Sequence, residues 1–176
     1  MDDLRGVVSG ARGALEKLVG AIPGYHGYKE KEMRREADKL LRLHLADRFQ
    51  EQRTKLSNVQ NHLASEGKIE DLGLLERTML QLQLLIDRLK VAEYGYAGLF
   101  DAVRIKEEQL DALYMYDSAL ASAVEQLAEK MDRLAIAAMA GEEMRSVAND
   151  ALLLLQEVNT TLDRRKDVII SVGESQ

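Results

Sequence analysis

The sequence predicts an all-α protein, an elongated up-down antiparallel four-helix bundle with an extra short N-terminal amphipathic helix. Three observations predict it. The 176 residues hold a single proline and two phenylalanines, too little turn and strand chemistry for a β fold. The strong helix formers Leu, Ala, Glu, Lys, Arg, Gln and Met dominate. Apolar residues recur at spacings of three and four through most of the chain, the period of a helix with one buried face.

The chain is long enough for one domain with a real core. The expected division is an amphipathic helix over 1–22, a turn at 23–27, a bundle over 28–170 and a loose tail at 171–176. In the first segment Leu4, Val8, Leu15, Leu18 and Ile22 lie on one narrow stripe with Ala11. Gly6, Gly10, Gly13 and Gly20 interrupt it, at about 1 kcal/mol each relative to Ala. A helix so weakened needs a surface to lie on, whether bundle, partner or lipid, so its stripe is a candidate interface. Pro23-Gly24 then marks a turn, and Tyr25 and Tyr28 suit rings that pin it to the end of the bundle.

Residues 28–65 read as one long helix with a seam of Met33, Ala37, Leu41, Leu45, Phe49, Leu56, Val59 and Leu63, broken by Gln52. Glu30–Arg34, Asp38–Arg42 and Glu51–Lys55 stand four apart and read as ion pairs on its solvated face. Residues 69–94 are apolar nearly all round, the pattern of a central helix covered on several sides. Residues 106–140 give the cleanest heptad: Leu110, Leu113, Asp117, Leu120, Val124, Leu127, Met131, Leu134 and Ala138. Asp117 is the charged residue of that seam and, if buried, needs a base; Arg34, Arg35, Lys39, Arg42 or a tyrosine hydroxyl are the expected partners. The last helix covers about 142–166, with Met144, Val147, Ala151, Leu154, Leu155, Val158 and Leu162 on its inner face.

Composition and spacing bear on function mainly by exclusion. Without cysteine there is no disulfide framework, thiolate nucleophile or cysteine-based metal site. His26, His44 and His62 stand 18 residues apart, and no Glu-x-x-His or His-Glu-x-x-His occurs, so no metal centre is expected. Phosphate loops, dinucleotide fingerprints and Gly-x-Ser-x-Gly elbows are missing too, and no enzyme, cofactor or small-molecule ligand is expected. The net charge of −6 divides into +3 through Lys68 and −9 beyond it, which disfavours nucleic acid and suits head-to-tail self-association. No apolar run is long enough to span a bilayer, and the acidic start MDDLRG is unlike a secretory signal, so the expected location is the cytoplasm, with peripheral contact at the inner membrane as the variant.

The stretch Glu93–Asp117 gathers five of the eight aromatics, Tyr94, Tyr96, Phe100, Tyr114 and Tyr116, around Gly95 and Gly98. Aromatic side chains anchor interfaces, and these five are the candidate partner-binding residues. Residues 22–42 (IPGYHGYKEKEMRREADKLLR) and 94–117 (YGYAGLFDAVRIKEEQLDALYMYD) resemble a family of uncharacterised, all-helical bacterial proteins. The resemblance implies association with membrane-scaffold systems of the stomatin/prohibitin type and transfers no functional residue. A more distant similarity is to bacterial membrane-stress proteins of the phage-shock/vesicle-inducing type, which share an N-terminal amphipathic helix followed by long charged helices. This chain is shorter and its first helix richer in glycine. The expected function is a non-enzymatic adaptor or scaffold component working through protein–protein contact or self-association. The alternative is a peripheral membrane-associated stress or scaffold protein docking through its first helix.

Overall fold

The computed structural model describes residues 13–27, 34–91, 107–141 and 143–171. Among these there is no strand. Residues 13–20 form α1, followed by α2 (Arg34–Ser65), α3 (Leu72–Lys90), α4 (Glu107–Ala140) and α5 (Met144–Ser171). The protein is all-helical and bundle-like. Val168, Ile169 and Ile170 continue α5 instead of folding back. Of the expected first helix, only the part from Gly13 is among the described residues.

The boundary between α2 and α3 shows how local sequence sets these elements. Lys68 N–H donates to the Leu63 carbonyl at 2.9 Å and Gly67 N–H to the Ala64 carbonyl at 3.1 Å. Together they form the paired closure of a helix C-terminus, with the residue after the cap in the left-handed region. Gly67 takes that place with φ 70°; any other residue would strain there. Ser65 adds a hydroxyl bond to the His62 carbonyl.

Among the described residues of α2 to α5, four helix pairs pack along each other: α2 on α3, α2 on α4, α3 on α5 and α4 on α5. Ion pairs and hydrogen bonds fix the directions. Arg42, early in α2, donates to the Leu89 carbonyl late in α3, so these two run antiparallel. Arg165, late in α5, bonds Asp117, early in α4, so this pair is antiparallel too. By contrast Arg145 meets Asp71 at the starts of α5 and α3, while Arg88 meets Asn159 and Asp163 towards their ends. α3 and α5 therefore lie side by side pointing the same way. α2 and α4 do likewise, joined by Lys55–Asp132. Two of the four packed pairs are thus antiparallel and two parallel, because α3 and α4, consecutive in sequence, do not pack along each other among the described residues.

The core runs through all five helices. Leu41, Leu45, Phe49, Leu56 and Leu63 of α2 meet Leu75, Leu82, Leu85, Ile86 and Leu89 of α3 and the α4 heptad from Leu120 to Ala138. Ala14, Leu15, Leu18 and Ile22 pack on this core, so the described part of the first amphipathic stripe lies on the bundle. At roughly 1.5–3 kcal/mol per buried large side chain, this apolar contact is what holds the glycine-weakened α1 in place.

α3 departs from expectation. Leu80 is 68% exposed and Leu84 47% exposed. Its apolar circumference suggested cover on several sides, but only α2 and α5 pack against it among the described helices. The face turned away from both stays open. No described helix is long and apolar enough to cross a membrane.

Candidate functional site

One end of the bundle carries a charge network that the apolar seams converge on. Arg165 of α5 is 1% exposed. Its Nε donates to Asp117 Oδ1 and its Nη2 to Asp38 Oδ1, both at 2.6 Å. Arg42 Nε donates to the other Asp38 oxygen at 2.8 Å, and Arg42 Nη1 to the Leu89 carbonyl at 2.8 Å. Asp117 and Asp38 are as buried as Arg165, and Arg34 is buried one helical turn before Asp38. The network thus ties α2, α3, α4 and α5 together at one level.

Each member has a local reason to be there. Asp38 and Arg42 are one turn apart on α2, the spacing at which side chains on a helix meet. Leu89 is one of the last residues of α3, whose terminal carbonyls have no intrahelical donor. Arg42 supplies one and adds positive charge at the negative end of the helix dipole. Burial pushes the Asp38 carboxyl up, but the guanidiniums of Arg165 and Arg42, by charge and by hydrogen bond, outweigh this and hold it below its ordinary value.

Asp117 is buried on the seam and is reached by Arg165, a base not among those expected; of the expected bases, Arg42 enters the network through Asp38. Asp38–Arg42 was expected on the solvated face and is buried instead. Glu51–Lys55 does not form: Glu51 pairs with Arg48, and Lys55 reaches across to Asp132.

Beside the network lies a groove of about 890 Å³ between residues 15–27 and the early part of α4. Leu15, Val19, Tyr25, Tyr114 and Met115 give it apolar walls, with Glu16, His26 and Asp111 as polar lining. Gly27 closes one side with φ +74°, and a Cβ there would stand 2.9 Å from the Tyr114 hydroxyl oxygen. The turn backbone and the tyrosine thus meet at a spot that admits no side chain. Ser118, one turn along from Tyr114, donates its hydroxyl to the Tyr114 carbonyl at 2.7 Å. Exposed Lys17–Glu125 is a further link between α1 and α4.

Of the five aromatic candidates, Tyr94, Tyr96 and Phe100 lie outside the described residues. Tyr114 lines the groove; Tyr116, half-buried, is not part of it. Of the interface stripe, Leu4 and Val8 also lie outside the described residues, while Leu15, Leu18 and Ile22 are buried. Tyr25 packs on the core, as its turn suggested, and brings exposed His26 to the groove. Met115, Glu16 and Asp111 were not singled out by the sequence: Asp111 and Met115 stand one turn apart on α4 and Glu16 lies on α1, and no local spacing tells that these two helices meet. Among the described residues no three metal-ligating side chains gather.

No protein-family model, curated protein or solved structure matches the chain.

Proposed function

We propose that this protein is a non-enzymatic interaction module, an adaptor or scaffold component built on an elongated four-helix bundle, that takes a segment of a partner protein in the groove beside Tyr114. The observation that carries this reading is the groove itself. Its walls are apolar and aromatic, Met115 is 71% exposed at its edge, and Glu16 and Asp111 put acidic groups among the lining. Tyrosine and methionine at a concave, partly dry surface are the side chains that anchor a partner, and acids beside them favour a segment with basic flanks. The buried charge network lies one helical turn from the groove, at Asp117, and its role in this reading is to hold α4 rigidly in register.

The membrane alternative finds less support. Docking through the first helix needs its apolar stripe free for lipid, whereas Leu15, Leu18 and Ile22 are turned to the core.

A photo-crosslinking amino acid placed at Met115 in the native host tests the reading. A discrete adduct with one protein is expected, lost in a chain that also carries Val19→Arg while helicity and thermal midpoint stay unchanged. No adduct, or an adduct indifferent to Val19→Arg, refutes it.

A further inference from the structure

The outer face of α3 is written as a palindrome. Gly73, Arg77, Leu80, Leu84, Asp87 and Val91 stand at spacings of 4, 3, 4, 3 and 4, and all six are exposed. At this spacing Gly73 to Asp87 form one stripe along the helix, and Val91, the residue at its C-cap, ends it. Each pairs with another about the same midpoint, residue 82: Gly73 with Val91, Arg77 with Asp87, Leu80 with Leu84. Two copies of such a stripe laid antiparallel would set leucine against leucine and arginine against aspartate.

The charges make this orientation specific. Arg77 forms no ion pair among the described residues, and Asp87 accepts a hydrogen bond from Gln83 of its own helix at 2.7 Å, which leaves carboxylate capacity. Laid antiparallel on a two-fold axis near Leu82, each Arg77 faces the Asp87 of the second copy, and the contact occurs twice by symmetry. Laid parallel in register, Arg77 would face Arg77 and Asp87 would face Asp87. The pattern thus favours one pairing and opposes the other. An apolar stripe flanked by charges of opposite sign at its two ends is matched by its own copy.

The neighbouring helix widens the face. The Asp71–Arg145 and Arg88–Asp163 contacts show α3 and α5 running parallel and level, which puts Leu153 beside Leu80. Leu153 is 63% exposed. Turning 100° per residue from the α3-facing positions of α5 carries it to the same outer side as Leu80 and Leu84. Leu80, Leu84 and Leu153, exposed on one flank, form an apolar patch of the kind that marks an interaction surface.

We propose that this face is a self-association surface, through which two copies of the chain pair by antiparallel contact of their α3 helices. The inference goes beyond the groove reading and uses none of its residues, so either can fail alone. It is tested on the full chain by sedimentation equilibrium over a dilution series. The wild type is expected to double its mass with a concentration-dependent midpoint. Arg77→Asp and Asp87→Arg, each placing like charges across the axis twice, should weaken dimerisation by about tenfold or more. The double exchange Arg77→Asp/Asp87→Arg should restore it. The chain has no cysteine, so single thiols can be placed at will. With a short bismaleimide, Gly73→Cys mixed with Val91→Cys should crosslink, while Gly73→Cys alone should not, since its two copies would stand ~27 Å apart. A wild type that stays monomeric, a dimer unmoved by either reversal, or crosslinking of Gly73→Cys to itself as efficient as in the mixture, overturns the proposal.

Discussion

Replacing Arg165 by Met is the sharpest perturbation of the bundle. The guanidinium makes two charge-assisted hydrogen bonds of 2.6 Å, one to Asp117 and one to Asp38, on three different helices and away from water. Met fills much of the same volume, so packing is largely kept and the electrostatic loss is isolated. Asp38 retains Arg42, and Asp117, 0% exposed in the wild type, loses a charge-assisted bond in a site closed to water. Breaking a buried pair by removing one partner costs ~3–5 kcal/mol, because a desolvated charge is left behind. Against a total stability of roughly 5–15 kcal/mol this is a large share. Urea unfolding at pH 7, followed by far-ultraviolet circular dichroism, should show the midpoint falling with the slope preserved. Exchanging Asp117→Leu in the same chain should recover most of the loss, since an apolar replacement of both partners removes the desolvation cost along with the bond. A loss below about 1 kcal/mol in Arg165→Met would refute the reasoning, because it would place the network at the level of an exposed pair.

Three further outcomes follow from other sites. The Asp38 carboxyl is held below its ordinary value in the fold, so the unfolded chain binds the extra proton; its contribution is complete above the unfolded pKa and fades as pH falls through and below about 4. Unfolding midpoints between pH 7 and pH 2.5 should therefore fall more steeply in the wild type than in Asp38→Asn, which starts lower. Gly27→Ala adds a Cβ at φ +74° and 2.9 Å from the Tyr114 hydroxyl oxygen, and should cost ~1–2 kcal/mol, read as a lower thermal midpoint. Gln52, 2% exposed, has a side-chain oxygen with no hydrogen-bond partner among the described residues, so Gln52→Met should raise stability by about 1 kcal/mol in the same urea assay.

The helices were legible because each long one presents a buried face at the helical period. The α4 heptad is the clearest case: from Leu113 to Ala138 every seam position is buried, and Asp117 is buried among them. Its partner was missed for a reason that the same periodicity exposes. The α5 face Ala151, Leu155, Val158, Leu162 continues by three residues to Arg165, and the α2 face Leu45, Leu41 continues back by three to Asp38. Charged residues that keep the period of an apolar seam are seam residues. Read that way, Asp38, Asp117 and Arg165 form a matched set of two acids and a base at helix ends. The Asp38–Arg42 spacing misled because four-apart pairs are commonest on open faces, and spacing alone does not tell which side of the helix a pair is on. The exposed stripe of α3 was hidden for the opposite reason. Its leucines are chemically identical to those inside, and only the arrangement of neighbours separates Leu80 from Leu82. The groove depends on a turn meeting a helix some 90 residues further on, a proximity that no local pattern encodes.

The parallel run of α3 beside α5, and of α2 beside α4, also bears on how the chain reaches this state. Contacts within α2–α3 and within α4–α5 form around short turns and close small loops. The contacts that join the two halves link residues about 75 positions apart, such as Lys55 with Asp132 and Asp71 with Arg145. Closing such a separation costs more chain entropy than either turn, which favours organising each half as a helical hairpin before the two dock. Arg165 to Asp38 is the most widely separated of these links, at 127 residues, and it is made between the two halves. Within the buried charge network, Arg42 to Leu89 and Arg165 to Asp117 can form inside a hairpin, whereas the Arg165–Asp38 bond waits for docking. A change there should speed unfolding much more than it slows folding.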